Sequence, residues 1–268
     1  MGLKIGISGI PIIAKGSDTL SGIQAVKDLG LDLIELQFVR NIYLDDDGAR
    51  EVGALAKKLG VSVTCHASYF INLSSQKEDV QSASVKRILD TLHIGDILGS
   101  RLIVVHPGYY SQRTPSEAFD LIKRNVDEAV RRNRSKVLVG LETTGRQKAF
   151  GTVDEIIGVC RECKGTCPVI DFGHIHALTD GGLKTRDDFS SIFEKFEKEL
   201  GLDWFHIHMS CMNYKDGNEK SHAPLSTFEP DFHHMADVIK ENGYDCSIVC
   251  ESPLLEHDAL LFKKWFYE

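Results

Sequence analysis

The chain has 268 residues, of which 42% are hydrophobic and 26% charged, and its formal net charge is −8 at pH 7. This composition is ordinary for a folded protein and excludes a disordered or collagen-like chain, while the acidic balance argues against a general nucleic-acid coat. No apolar run approaches the ~20 residues of a membrane span. Seven cysteines, an odd number, indicate reduced thiols, so we expect a cytoplasmic protein with no membrane partner.

Strand-like and helix-like patterns alternate eight times along the chain. We predict strands over 3–9, 31–39, 61–67, 101–107, 136–143, 167–173, 203–209 and 245–251. Between them lie segments such as GAREVGALAKKLG, whose apolar residues recur at intervals of three and four. Eight such repeats in ~250 residues are typical of a (β/α)8 barrel. Because no Pro- or Gly-rich linker divides the chain, we predict one α/β TIM-barrel domain over residues 1–268.

Histidines and acids close the last six predicted strands. In chain order they are His66, His106, Glu142, Asp171, His206 and Glu251. A parallel barrel gathers the carboxyl ends of its strands around one axis, and carboxylates buried there are costly unless they are paired or bound to a metal. We therefore predict a metal site, with an ion-pair network involving Arg or Lys as the alternative. His206 and His208 share one face of their strand, so at least one should point inward.

Two further segments could carry function. The longest predicted loop, NYKDGNEKSHAPLSTFEPDF, follows the seventh strand, and loops of this length in compact domains are usually functional. Cys160, Cys163 and Cys167 form a C-x2-C-x3-C pattern that could bind a metal or cluster. Cys167 starts the sixth strand, at the opposite barrel end from the acids, and no fourth ligand is evident. We interpret these cysteines as packed or surface thiols.

Six stretches of the chain resemble the endonuclease IV family of zinc-dependent apurinic/apyrimidinic endonucleases, which belongs to the xylose-isomerase-like barrels. They are HASYFINLSS, VVHPG, LETTGRQ, IDFGH, FHIHMS and ESP. The resemblance runs from the third to the eighth strand. It implies that His66 and His106 hold one zinc and that Glu142 bridges this ion to a second. The second ion would be completed by Asp171, His206 and Glu251.

The resemblance also implies a third zinc, but the sequence departs from the family pattern there. The family uses the histidine at the position of His174 and an Asp-x-His pair after the seventh strand. Lys220 stands at the aspartate position. We expect Glu219 and His222 to replace the pair, so the chain would hold two or three Zn²⁺ ions, with Mn²⁺ as an alternative metal.

The partner that the resemblance implies is double-stranded DNA with abasic lesions. We expect the chain to act as a monomer. Tyr69 matches a DNA-contacting tyrosine of the family. Arg40 is a second candidate for DNA binding, in the loop FVRNIYL after the second strand. This loop is shorter than the segment that the family inserts into DNA.

Clustered metal ions suit phosphodiester hydrolysis because they can hold both the attacking and the leaving oxygen. Our hypothesis is cleavage on the 5′ side of an abasic deoxyribose, with Glu142 and Glu251 as catalytic residues: Glu142 keeps the metals together and Glu251 orients the attacking hydroxide. Two alternatives remain, a single-metal sugar isomerase or epimerase and a catalytically silent metal-binding barrel. His66 and His106 discriminate between the enzymes, because the isomerase needs no metal there.

Overall fold

The computed structural model describes residues 2–268 of the chain. Its strands are β1 (Leu3–Ser8), β2 (Leu33–Gln37), β3 (Ser62–His66), β4 (Leu102–Val105), β5 (Leu138–Glu142), β6 (Thr166–Asp171), β7 (Trp204–Met209), β8 (Cys211–Lys215), β9 (Asn218–Ala223) and β10 (Asp245–Cys250). Eight of them form a closed barrel in the order β1-β10-β7-β6-β5-β4-β3-β2, and β8 pairs with β9 in a separate hairpin. The predicted (β/α)8 fold is confirmed.

Nine α-helices lie in residues 2–268. They are α1 (Thr19–Asp28), α2 (Asp46–Leu59), α3 (Glu78–Leu98), α4 (Pro115–Arg132), α5 (Val153–Glu162), α6 (Phe172–Leu178), α7 (Arg186–Leu200), α8 (His233–Asn242) and α9 (Glu256–Tyr267). Within this part of the chain, no helix combines the length and the apolar character needed to cross a membrane.

The chain divides into two compact units, each held together by contacts among its own residues. The first comprises the chain up to Ile34 together with Thr144–Gln147 and Val169–Glu268. The second comprises Glu35–Thr143 and Lys148–Pro168. The extent of the domain, residues 1–268, stays a prediction.

In the first unit, β1, β10, β7 and β6 pair side by side in parallel. Their outer face is covered by aromatic side chains of α7, of which Phe193 is fully buried and packs edge-on against Phe205 of β7 with ring centroids 5.1 Å apart. α7 begins at a capping box in which Thr185 and Asp188 satisfy each other's backbone N–H groups. The register places Asp171 of β6 opposite His208 of β7.

In the second unit, β3, β4 and β5 pair in parallel. All four residues of β4, Leu102–Val105, are buried, as expected for a barrel strand that packs on both faces. The helix α4 begins with Thr114 and Glu117 in a capping box and carries Pro115 at its first position. These devices set the point at which the chain turns from the strand ends back along the barrel.

The predicted loop after the seventh strand differs from the structure, because it contains most of the β8–β9 hairpin. The turn is Asp216-Gly217, and both residues have positive φ values, 53° and 67°. This is the backbone of a type I′ turn, for which Asp-Gly is a strong sequence signal. The sixth strand is also shorter than predicted, since α6 begins directly after Asp171.

Candidate metal centre

Three metal-ligand side chains of the second unit meet at the ends of β3, β4 and β5. His66 and Glu142 end their strands, and His106 directly follows β4. The Nε2 atoms of His66 and His106 lie 3.4 and 3.3 Å from Oε2 of Glu142. Glu142 and His66 are buried, whereas the His106 side chain is 32% exposed. The group is therefore accessible to solvent on the His106 side.

These separations fit the ligands of one zinc ion. Zinc binds nitrogen and oxygen ligands at about 2.0–2.2 Å, so two ligands of a tetrahedral ion lie about 3.3–3.5 Å apart. A direct charge-assisted hydrogen bond would bring the same atoms to about 2.7–2.9 Å. In addition, Nδ1 of His66 donates to the carbonyl oxygen of Ala67 at 2.8 Å. This bond fixes the tautomer whose Nε2 lone pair can bind a metal.

The first unit carries a second group, made of Asp171, His208 and Glu251. Each offers a ligand atom within 4.8 Å of the others, and Nδ1 of His208 lies 3.4 Å from Oε2 of Glu251. Asp171 is the last residue of β6 and also caps α6, because its Oδ1 accepts a hydrogen bond from the backbone N–H of His174. All three side chains are largely buried, so a bound cation would offset the cost of burying the two carboxylates.

The seventh strand contributes His208 to this group, whereas the predicted ligand His206 belongs to another group that could hold a metal. His208 pairs with Asp171, whereas His206 pairs with Val169, two residues earlier on β6. Two residues along a strand cover about 6.6 Å. His206 therefore lies one layer deeper in the barrel, where its ring packs near Trp204, although a ring nitrogen stays within 4.8 Å of one on His208. His208 lies nearer to the end of the strand than His206, and this position is a feature of the sequence that favours His208.

Glu35 is a buried carboxylate that sequence reasoning missed. It lies in the middle of β2 and belongs to the residues that could contribute to a metal site. Its Oε2 accepts a hydrogen bond from the Thr64 hydroxyl at 2.9 Å, and its Oε1 accepts one from the Gln37 amide at 3.2 Å. No strand-end signal marks this position.

A β-bulge shapes the hairpin that carries the expected third-ion residues. Glu219 of β9 pairs with Tyr214, and the next pair skips Lys220. The extra residue puts Glu219 and His222 on the same face of the hairpin in spite of their three-residue spacing. Nδ1 of His222 donates to the backbone carbonyl of Glu251 at 2.8 Å, which leaves its Nε2 available as a ligand.

His174 and Glu219 nevertheless contact each other directly. Nε2 of His174 lies 2.8 Å from Oε2 of Glu219, and Nε of Arg146 lies 2.9 Å from Oε1 of the same carboxylate. Both distances are those of ion pairs. Within residues 2–268, His174, Glu219 and His222 do not form a group in which three ligand atoms all lie within 4.8 Å of one another.

The two candidate DNA contacts come from neighbouring loops of the second unit. The backbone N–H of Tyr69 donates to the carbonyl of Val39, the residue before Arg40, at 3.0 Å. The Tyr69 ring lies 5.1 Å from the His66 ring and 5.8 Å from the His106 ring, and 54% of Tyr69 is exposed. An aromatic and a cationic side chain thus lie on loops that border the first metal group.

The cysteines of the C-x2-C-x3-C pattern behave as packed thiols. Burial raises the pKa of Cys160 to about 12 and the pKa of Cys163 to about 11, and it also raises the pKa of Cys167. A thiol with a raised pKa is a poor metal ligand and a poor nucleophile at neutral pH. In the described part of the chain, these cysteines belong to none of the groups that could hold a metal.

Comparison with known proteins identifies the family. The profile of the xylose isomerase-like TIM barrel family matches residues 23–264. This chain belongs to that family. Within it, a similar protein is an uncharacterized protein of Methanocaldococcus jannaschii, which is 32% identical over 99% of this chain and 97% of its own length.

Other relatives in the xylose isomerase-like TIM barrel family are named as probable endonuclease 4. The one from Thermoplasma acidophilum is 32% identical over 60% of this chain and 56% of its own length. The one from Methanosphaerula palustris is 27% identical over 79% of this chain and 73% of its own length. These relatives confirm the predicted resemblance to endonuclease IV, although the chain spans only about half the length of the Thermoplasma protein.

Solved structures show the same fold in two kinds of enzyme. Endonuclease IV from Thermus thermophilus has a TM-score of 0.77 and 19% identity, covering 98% of this chain and 99% of that one. A D-tagatose 3-epimerase-like protein has a TM-score of 0.73 and 22% identity, covering 98% and 95%. At such low identity, the likeness concerns the fold alone.

Proposed function

We propose that this protein is a zinc-dependent phosphodiesterase of the endonuclease IV type that cleaves double-stranded DNA on the 5′ side of abasic sites. The observation that carries the proposal is the group of His66, His106 and Glu142, whose separations suit one metal ion. This group exists in addition to Asp171, His208 and Glu251. Two metal groups suit phosphodiester hydrolysis, whereas a sugar isomerase needs only one.

Zinc bound at these groups would supply Lewis acidity toward the scissile phosphate and toward water. Glu142 would hold the ion that His66 and His106 also bind. Glu251 would orient the attacking water through its carboxylate, which is 9% exposed, while its backbone carbonyl accepts the hydrogen bond from His222. Two bound divalent ions would also offset half of the net charge of −8, which reduces repulsion of the DNA backbone.

The DNA contacts belong to the same proposal. Tyr69 would stack against the damaged strand, because its exposed ring lies beside the His66 and His106 rings. Arg40 would contact a phosphate from the neighbouring loop. We propose that the chain acts as a monomer.

The second candidate is a sugar isomerase or epimerase. It is favoured by one observation, namely that Asp171, His208 and Glu251 by themselves provide both imidazole and carboxylate ligands for a single ion. The number of metal ions per chain separates the two candidates, since the phosphodiesterase requires His66 and His106 as ligands and the epimerase does not.

The test combines cleavage with metal content. Protein purified without chelator is incubated with a duplex oligonucleotide that carries one abasic analogue, and its metals are measured by elemental analysis. We expect incision on the 5′ side of the analogue and its loss after chelation. Joint replacement of His66→Ala and His106→Ala should eliminate incision and lower the metal count by about one, because one end of the site is lost.

A matched control is His93→Ala, which removes an exposed imidazole that pairs with Asp46 on the helices. It should preserve both incision and metal count. A single ion per chain in the unmutated protein, unaffected by the double replacement and accompanied by no incision, would require the epimerase instead.

A further inference from the structure

Exposed cations collect in three turns of the second unit, at the end of the barrel where its strands begin. The turns precede β4, β5 and β6 and comprise residues 99–101, 133–137 and 163–165. None of these residues is acidic. Four of them, which we call the basal cations, are positively charged and exposed, namely Arg101, Arg134, Lys136 and Lys164. They form a positive surface on a chain whose formal net charge is −8.

Backbone hydrogen bonds hold the three turns side by side. The N–H of Leu138, the first residue of β5, donates to the carbonyl of Arg101 at 3.0 Å. The N–H of Val139 donates to the carbonyl of Gly165, also at 3.0 Å. Because neighbouring strands of a sheet lie about 4.8 Å apart, one extended ligand can contact all three turns.

The side chain of Asn133 fixes the middle turn, which carries two of the basal cations. Its Nδ2 donates to the carbonyl of Val137 at 2.9 Å, and its Oδ1 accepts a hydrogen bond from the backbone N–H of Ser135 at 2.9 Å. The backbone of Arg134 and Lys136 is therefore ordered by contacts that need no ligand. This order lowers the entropy cost of binding one.

The ends of the helices do not explain the basal cations. The helix dipole favours cations only within the last turn of a helix, and the basal cations lie beyond the ends of α3, α4 and α5. In the first unit, acids stand at the corresponding places, because Asp203 directly precedes β7 and Asp245 begins β10. Cations at strand starts are thus not a general feature of this barrel.

Acidic side chains that flank the second and third turns pair with other cations. Asp127 and Glu128 each pair within α4 with the arginine four residues later, at 2.9 and 2.7 Å. Glu162, at the end of α5, pairs with Lys123 at 2.9 Å. These two turns therefore stay positive. The first turn follows an exposed acid on α3, Asp96, so the test below relies on the other two.

We propose that the basal cations bind the phosphate backbone of double-stranded DNA, on a surface apart from the metal group of His66, His106 and Glu142. The choice of DNA among polyanions rests on the proposed phosphodiesterase function. Glu142 ends the strand that begins at Leu138, about 13 Å further along, so the two surfaces lie at opposite ends of β5. Lysine and arginine contact phosphates without reading the bases. The basal cations would therefore hold undamaged DNA.

The experiment measures how salt affects the binding of an undamaged duplex. Fluorescence anisotropy gives the affinity of a labelled duplex oligonucleotide for the protein, purified without chelator, at several salt concentrations. The basal variant combines Arg134→Gln, Lys136→Gln and Lys164→Gln. The control variant removes the same charge from exposed positions on helices of the first unit, by Lys27→Gln, Lys198→Gln and Lys240→Gln. Circular dichroism verifies that both variants are folded.

We expect the basal variant to bind the duplex more weakly and with less dependence on salt. The slope of log affinity against log salt concentration should fall by about 2.7, because each of the three lost phosphate contacts contributes about 0.9. The control variant should keep the slope of the unmutated protein. Incision of the abasic duplex at saturating substrate should be equal in all three proteins, since the metal group lies at the other end of the strands.

A basal variant with the same slope as the control variant would overturn the inference and leave the proposed function intact. The inference would also fail if polyglutamate, an acidic polypeptide, bound the unmutated protein more tightly than the duplex and lost this binding in the basal variant. If the slope falls as expected but the unmutated protein does not incise the abasic duplex, the proposed function fails while the DNA-binding surface stands.

Discussion

Replacing His208 should damage the metal site more than replacing His206. His208 pairs with Asp171 in the β6–β7 register, and its Nδ1 lies 3.4 Å from Oε2 of Glu251. His206 lies two residues earlier, about 6.6 Å along the strand. Changing a residue that only supports the ligands typically lowers metal affinity 10–100-fold. Loss of a ligand should exceed that range, so we expect His208→Ala to cost more than about 100-fold, or about 2.8 kcal/mol.

The two alanine variants control for each other, because both histidines are buried and both substitutions remove the same side-chain atoms. Metal affinity is measured by competition with a chromophoric chelator, and circular dichroism verifies that each variant is folded. His206→Ala should fall within the range typical of a supporting residue. An equal loss in both variants, or a larger loss for His206→Ala, would refute the assignment based on strand register.

Two further predictions concern catalysis and the thiols. Glu251→Gln should preserve the fold but abolish incision of the abasic duplex, since it keeps the side-chain volume and removes the charge; a rate above about a tenth of the unmutated value would contradict this role. Joint replacement of Cys160→Ser, Cys163→Ser and Cys167→Ser should leave metal content and incision unchanged. Because burial raises the pKa of Cys160 to about 12 and that of Cys163 to about 11, their thiolate fractions at pH 8 fall about 2,000-fold and about 200-fold below that of an ordinary thiol with a pKa of about 8.5. Iodoacetamide should therefore alkylate both thiols much more slowly than such a thiol. Rapid labelling at either residue, or one metal lost in the triple variant, would show that the thiols are functional.

The barrel was predictable because its signals are local. The barrel strands are short runs rich in β-branched residues. The start of a helix such as α4 is indicated by its capping residue Thr114 and by Pro115 at its first position. The positions of His66, His106 and Glu142 at or directly after strand ends followed from the same pattern. The sequence predicts a single loop where the structure has the β8–β9 hairpin. Asp216-Gly217 is a strong local turn signal, but the long polar stretch around it is also typical of a single loop.

The choice between His206 and His208 depends on a different kind of information. Both side chains point to the same face of β7, so alternation cannot separate them. Only pairing with β6 shows that His208 lies level with Asp171. Glu35 could not be predicted from the sequence for a similar reason. It lies inside a strand, and its hydrogen bond with Thr64 joins residues that are 29 positions apart in the chain. Register and long-range contacts are products of assembly, which a single sequence does not display.

The hairpin shows why a departure from a family motif needs three-dimensional context. Lys220 in place of aspartate suggests that the third metal is lost, but the bulge at Lys220 turns Glu219 to the same face as His222 and restores a carboxylate there. One oxygen of that carboxylate forms an ion pair with Arg146, which lies far earlier in the chain and is not connected with the hairpin by any sequence pattern. Arg146 lies beside Oε1 of this carboxylate and His174 beside Oε2, so side chains from two other parts of the chain meet the hairpin at Glu219. The surroundings of Glu219 therefore depend on the loop after β5 as well as on the segment after β7.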